Sequence, residues 1–185
     1  MRQANALAQR FAHAPARGEA VPARIVTSPL LRCRETAQAT ASVLGIAAGS
    51  DERLIEIAHG TWEGRCRAEI AANDPERYRT WRDDPAHAAF ERGETLRDVA
   101  ARWVAFSRDL TAWREDTLIV THDAVVRCAL IALQARPLAE FWEMPVENGA
   151  FALVERGEDG TLALRESCIA NHLAGLRADA ATQAL

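Results

Sequence analysis

Two similar stretches constrain this chain more than anything else in it: I-V-T-S-P-L-L-R-C beginning at Ile25 and I-V-T-H-D-A-V-V-R-C beginning at Ile119. Each passes from a short β-branched run straight into a segment with helical apolar spacing, the pattern of a buried strand feeding a helix. In the first, Arg24 to Thr27 predicts a strand. Pro29 then opens a helix whose stripe is Cys33, Ala37, Ala41 and Leu44, closed by Gly45. In the second, Thr117 to Thr121 predicts a strand and Ala124 to Gln134 an almost wholly apolar helix. No repeat of fixed period accompanies them, so they read as two βα units of one sheet and not as a duplication.

The remaining segments fit around those units. Leu7 and Phe11 predict an amphipathic opening helix ending near Pro15 and Gly18. Leu96, Val99, Trp103, Phe106, Leu110 and Trp113 alternate steps of three and four, one apolar seam along a long helix. Between Arg65 and Gly93 the chain is charged and weakly periodic, which predicts short helices and loops. Near the end, A-F-A-L-V-E and T-L-A-L-R-E-S-C-I flank G-E-D-G, a hairpin signal. The tail from 177 to 185 is expected to fray. Strands alternating with helices argue for a single α/β domain over 1–185: a three-layer α/β/α sandwich with a mostly parallel mixed sheet. A chain of 185 residues, 49% hydrophobic, suffices for one such core.

Charge and composition exclude several functions. Twenty-two basic residues against 26 acidic ones give a net charge of −4 with no basic stripe, which argues against nucleic acid as a partner. All the basic residues are Arg, so schemes needing a Schiff-base or P-loop lysine are out. Cys33, Cys66, Cys128 and Cys168 form no C-x-x-C pair, and no metal site is expected. No uncharged apolar run reaches the roughly 18 residues of a membrane span. The opening M-R-Q-A-N-A-L-A-Q-R-F lacks the apolar segment of a signal peptide, so a cytoplasmic protein without membrane partners is expected.

Ligands of α/β sheets bind beyond the carboxyl ends of the strands, where Thr27-Ser28 and Thr121-His122 lie. His122 precedes a helix N-terminus that favours anions, and Arg32 sits early in the other post-strand helix. An imidazole and a guanidinium at strand ends suit a phosphoryl group. Taken singly, a histidine after a strand is equally a hydrogen-bonded loop residue, and an arginine in the first helical turns is more often a solvated surface charge.

Further blocks narrow the choice. T-S-P-L-L-R-C-R-E-T-A (Thr27 to Ala37), L-I-E-I-A-H-G-T-W-E-G (Leu54 to Gly64), G-E-T-L-R-D-V-A-A-R (Gly93 to Arg102) and I-V-T-H-D-A-V-V-R (Ile119 to Arg127) succeed one another in order. N-G-A-F-A-L-V-E and N-H-L follow them. In this order the chain resembles the histidine phosphatase superfamily, the phosphoglycerate-mutase-like proteins, along nearly its whole length. The resemblance implies that Arg32 binds the phosphoryl group and that His122 holds its charge in the transition state. It implies Glu56 as proton donor to the leaving oxygen, a role that burial favours by raising a carboxyl's pKa. Ser28, for which capping the Pro29 helix is the favoured reading, and Asp123 complete the expected substrate-binding set. Asp123 stands where the family often has Gly; an acidic neighbour there either raises the pKa of His122 or repels the substrate. His59 is expected at the rim. Tyr78, Trp81 and Arg82 are expected in a lid that sets specificity. His13, His87 and His172 are expected at the surface or in packing.

One departure matters. The family opens with a strand ending in R-H-G whose histidine takes the phosphoryl group, and this sequence has neither residue. The chain resembles the family from the helix after that motif, so the expected sheet lacks its first strand, leaving neighbours with unpaired backbone groups. The expectation is a metal-independent phosphomonoesterase without cofactor, acting on a small phosphorylated metabolite but incomplete as given. The alternatives are an inactive phosphoester-binding or interaction protein and a mutase-type phosphoryl transfer. The segment from Gly64 to Gly93 is short beside the mutase insertion. Two origins compete, an N-terminally incomplete gene product and a degenerate relative, and the backbone cost of the missing strand favours the first. A homo-oligomer is possible.

Overall fold

A computed structural model describes residues 1–176, so the expected frayed tail lies outside the described residues. The elements are α1 (Arg2–Ala12), β1 (Arg24–Thr27), α2 (Leu31–Leu44), β2 (Ala48–Ser50), α3 (Arg67–Asn73), α4 (Pro75–Asp83), α5 (Leu96–Leu110), β3 (Thr117–Val120), α6 (Asp123–Leu133), β4 (Phe151–Arg156) and β5 (Leu162–Ile169). Short 3₁₀ turns join several of them.

The two βα units lie side by side, as their sequences require. The parallel sheet runs in the order β2-β1-β3, with Ile25 opposite Ala48 and Leu118, and Thr27 opposite Ser50 and Val120. This register brings the ends of β1 and β3 level, and the Ser28 N–H continues the ladder to the Val120 carbonyl at 2.9 Å. Alternation along the strands divides the core. Ile25, Leu118 and Val120 join Leu7 and Phe11 of α1 and Cys33, Ala37 and Ala41 of α2. Val26 and Ile119 pack on the other face, against Val99 and Phe106 of α5 and Val125 and Cys128 of α6. Two helix layers thus enclose the sheet. Each fully buried side chain such as Phe106 contributes about 1.5–3 kcal/mol of transfer free energy.

Several boundaries differ from expectation. The seam of α5 outruns its helix: the helix ends at Leu110, and Trp113 lies in the following turn, its ring packed on Phe106 and under the Arg24 guanidinium. The start of α5 is fixed by a capping box, in which Thr95 and Asp98 each bond the other's backbone N–H. Strand β2, an exposed A-G-S, carries no alternation and exists through its pairing with β1.

The expected mixed sheet resolves into two. β4 and β5 pair antiparallel, from Phe151 opposite Ile169 to Arg156 opposite Leu162, but bond to no strand of the parallel sheet. Among the described strands β3 is therefore paired on one side only, and so is β4. Leu153 and Val154, which point to opposite faces of β4, are both exposed. The hairpin is held by side chains instead: Phe151 packs on Phe11 of α1, and Leu164 reaches the α5–α6 core.

Candidate active site

The level ends of β1 and β3 place Ser28 and His122 side by side. Backbone register brings them there, and α2 then returns Arg32 one helical turn later. His122, only 5% exposed, has its Nε2 2.8 Å from the Ser28 hydroxyl oxygen and its Nδ1 3.1 Å from Nε of Arg32. A guanidinium N–H can only donate, so Nδ1 accepts. The neutral ring then carries its proton on Nε2 and donates it to Ser28 Oγ. Ser28 also accepts the Leu30 N–H at 3.3 Å, while the N-cap of α2 is Leu30, without a side-chain cap. The helix-capping role open to Ser28 in the sequence thus gives way to a bond with the imidazole.

Burial pushes the pKa of His122 down to about 4, helped by the positive charges of Arg32 and Arg102. Asp123 takes no part in this. Its carboxylate accepts from Arg127 Nε at 2.8 Å, and Arg127 also donates to the carbonyls of Phe141 and Met144. Of the two alternatives for Asp123, the structure does not support a raised His122 pKa: Asp123 is turned along α6, and its charge acts on Glu56.

Glu56 follows a 3₁₀ turn, Glu52–Leu54, that is tied to the end of β3 by the Thr121 hydroxyl donating to the Leu54 carbonyl at 2.7 Å. Burial is the main cause that raises the Glu56 carboxyl to about 7, and the negative charge of Asp123 adds to it. Three influences oppose the rise: the Ile57 N–H bonded to Oε1 at 3.0 Å, the Arg32 charge, and the Ala124 N–H at the start of α6. Two of these come from the other βα units. Near neutral pH Glu56 is therefore partly protonated and faces the same crevice as Arg32 and the first turn of α6.

The residues so gathered place a guanidinium, the bonded Ser28–His122 pair and a helix N-terminus beside a partly protonated carboxyl. That set can bind a phosphoryl group and give a proton to its leaving oxygen. None of His13, His59, His87 or His172 bonds to these residues: His87 pairs with Asp84, and His172 meets the Gly149 carbonyl. Among the described residues no group of three or more His, Cys, Asp or Glu could hold a metal ion.

The structure corrects two expectations about the surroundings. His59 is not at the rim. It is 8% exposed, its ring meets Phe90 and Trp81 edge-on, and among the described residues its Nε2 has no hydrogen-bond partner. Trp81 is likewise core, packed among Phe90, Phe141 and Trp142, which leaves little of it free to read a substrate. Arg82 is exposed and paired with Asp83. Sequence reasoning also missed residues around the site. Cys33, placed on the buried stripe of α2, has its sulfur 3.3 Å from His122 Nε2. Glu94 and Arg102 hold the backbone on both sides of Glu56, and their one sequence signal was membership of a recognisable block.

The chain is similar to known proteins in sequence and fold. Residues 1–168 match the family model described as the histidine phosphatase superfamily (branch 1). Phosphoserine phosphatase 1 of Hydrogenobacter thermophilus is 29% identical over 143 residues, 76% of this chain and 68% of that protein. A bifunctional protein of Mycobacterium tuberculosis is 31% identical over 147 residues, 77% of this chain, but the match spans only 40% of its length. Among solved structures, Bacillus stearothermophilus YhfR superposes with a TM-score of 0.82 at 30% identity, covering 94% of this chain and 86% of that one. A mycobacterial glucosyl-3-phosphoglycerate phosphatase complexed with VO3 gives 0.76 at 26% identity, covering 89% and 81%.

Proposed function

The chain belongs to the histidine phosphatase superfamily, and on that footing we propose that it forms the oxyanion-binding and proton-donating machinery of a metal-independent phosphomonoesterase acting on a small phosphorylated metabolite. Phosphatases of such compounds are among its relatives, including the phosphoserine and α-ribazole enzymes. Arg32 grips phosphoryl oxygens through its planar fork, and the Nε2–H of His122 with Ser28 completes the cradle. Glu56, partly protonated at neutral pH, supplies the proton that the leaving alkoxide needs. Asp123 acts through Glu56, keeping that carboxyl protonated. The reading is carried by one observation: Arg32 and His122 meet at 3.1 Å beside a carboxyl raised to about 7.

A second reading is favoured by a specific observation. No described histidine besides His122 bonds within the crevice, so covalent transfer to a histidine has no acceptor among the described residues. The chain by itself would then bind phosphoesters without turning them over, and turnover would require a nucleophile brought to the open side of β3. Calorimetric titration of the purified chain with orthovanadate, together with hydrolysis of p-nitrophenyl phosphate, separates the two. Saturable vanadate binding that Arg32→Ala abolishes supports the site; hydrolysis alongside it favours the enzyme, and binding without hydrolysis the second reading. Absence of binding overturns both.

A further inference from the structure

The block Gly93 to Arg102 reaches the site from behind: besides the charge that Arg102 lends to the depression of His122, it grips the segment that carries Glu56. Arg102 donates from Nε and Nη2 to the two oxygens of the Glu94 carboxylate, at 2.9 Å each. Its remaining donor, Nη1, reaches the carbonyls of Arg53 at 2.7 Å and Ile55 at 3.0 Å. Glu94 Oε2 in turn accepts the Ala58 N–H at 3.1 Å, and the Glu94 N–H donates to the Ala58 carbonyl at 2.8 Å. The gripped residues, 53, 55 and 58, flank Glu56 on both sides.

Two glycines let this contact form. A Cβ on Gly93 would stand 2.3 Å from the Ala58 carbonyl oxygen, and one on Gly60 2.0 Å from that of Glu91. The Thr61 N–H donates to the same Glu91 carbonyl at 3.1 Å. The segments around residues 58–61 and 91–94 therefore run backbone against backbone, and only glycine fits at those two points.

We propose that Glu94 and Arg102 are positioning residues that clamp the Glu56 segment and so hold the Glu56 carboxyl at its place in the crevice; this rests on the reading of Glu56 as proton donor. Neither side chain bonds to Arg32, Ser28 or His122, so the pair acts through the backbone of residues 53–58. The planar fork matters: a bidentate bond to the carboxylate fixes the guanidinium plane, and that orientation aims Nη1 at the two carbonyls. Lysine would keep the charge and lose the plane. The charges that face Glu56 directly are those of Asp123 and Arg32. The clamp therefore works by keeping the carboxyl buried and not by its own field.

The test follows Glu56 itself, in the full chain, by NMR titration of its carboxyl carbon and of the Ile57 amide bonded to it. The wild type should titrate near pH 7. Arg102→Lys and Glu94→Gln should each lower the midpoint by about one unit or more as the freed carboxyl reaches water, and should speed hydrogen exchange at the Ala58 amide. A midpoint that stays near 7 in both variants overturns the clamp while sparing the role of Glu56. A wild-type midpoint near the ordinary carboxylate value removes the proton donor, and the clamp with it. Should those variants unfold, Glu94→Asp keeps the charge but withdraws from Ala58, and the same shift is expected; unfolding of all three would make the pair a strut and overturn the assignment.

Discussion

Nε of Arg32 and Nδ1 of His122 stand 3.1 Å apart, although the two residues are 90 positions apart in the chain. The contact fixes the imidazole tautomer, because the arginine can only donate. It also ties the guanidinium that would bind an anion to the histidine beside it, through Nε alone.

The bond to His122 uses Nε alone, so the Nη donors of Arg32 can meet an oxyanion, whose negative charge would favour protonation of His122 above its depressed value of about 4. Vanadate binding between pH 5 and 7 should take up protons, measurable by calorimetry in buffers of differing ionisation enthalpy. Arg32→Lys should weaken binding by roughly tenfold or more, since lysine offers no planar fork. Binding without proton uptake would detach His122 from the anion.

The two perturbed groups pull stability in opposite directions with pH. Glu56 is raised, so the stabilisation tied to its proton is present below its unfolded value of 4.5 and lost as pH climbs through about 7. His122 is depressed, so its contribution is complete above 6.5 and lost as pH falls toward about 4. Glu56→Gln should accordingly gain about 1–3 kcal/mol over the wild type at pH 8 and little at pH 5, read by urea unfolding at both values. An equal difference at the two pH values would count against a buried carboxyl.

Thiol reactivity should follow burial. Cys66 is exposed, whereas burial pushes the thiols of Cys33 and Cys128 up to about 11 and 12. Iodoacetamide at pH 8, followed by peptide mass spectrometry, should label Cys66 long before either of those two. Early labelling of Cys33 would mean that the His122 pocket opens readily.

His59 has a buried, unpartnered Nε2 in an aromatic cage, where burial also keeps its pKa low. Replacing it by an apolar ring of similar shape removes an unsatisfied group. His59→Phe should leave stability unchanged or raise it by about 1–2 kcal/mol in a denaturant melt. A loss of that size would mean that the nitrogen has a partner.

Gly60 adopts φ +56° with the Glu91 carbonyl against it. Gly60→Ala should cost about 2 kcal/mol or more in the same melt and speed hydrogen exchange around Ala58, because the Glu56 segment must separate from residues 91–94. A near-neutral Gly60→Ala would show that this contact is loose.

The sequence by itself determined the two βα units, the seam of α5 and the terminal hairpin, because each is written in local apolar spacing and punctuation by Pro or Gly. Its blocks also single out Arg32, Ser28, Glu56, His122 and Asp123 as candidates for the site, four of them ionisable and one a hydroxyl. Tertiary structure decided what local spacing cannot encode. Strand register levelled Ser28 with His122; α6 turned Asp123 toward Arg127 and its field toward Glu56; packing drew His59 and Trp81 inward. Whether β4 joins the parallel sheet depends on hydrogen bonds between distant strands, and among the described strands β3 and β4 do not pair with each other. The protonation of Glu56 and His122 belongs to that same level, since burial sets it and burial is a property of the assembled fold.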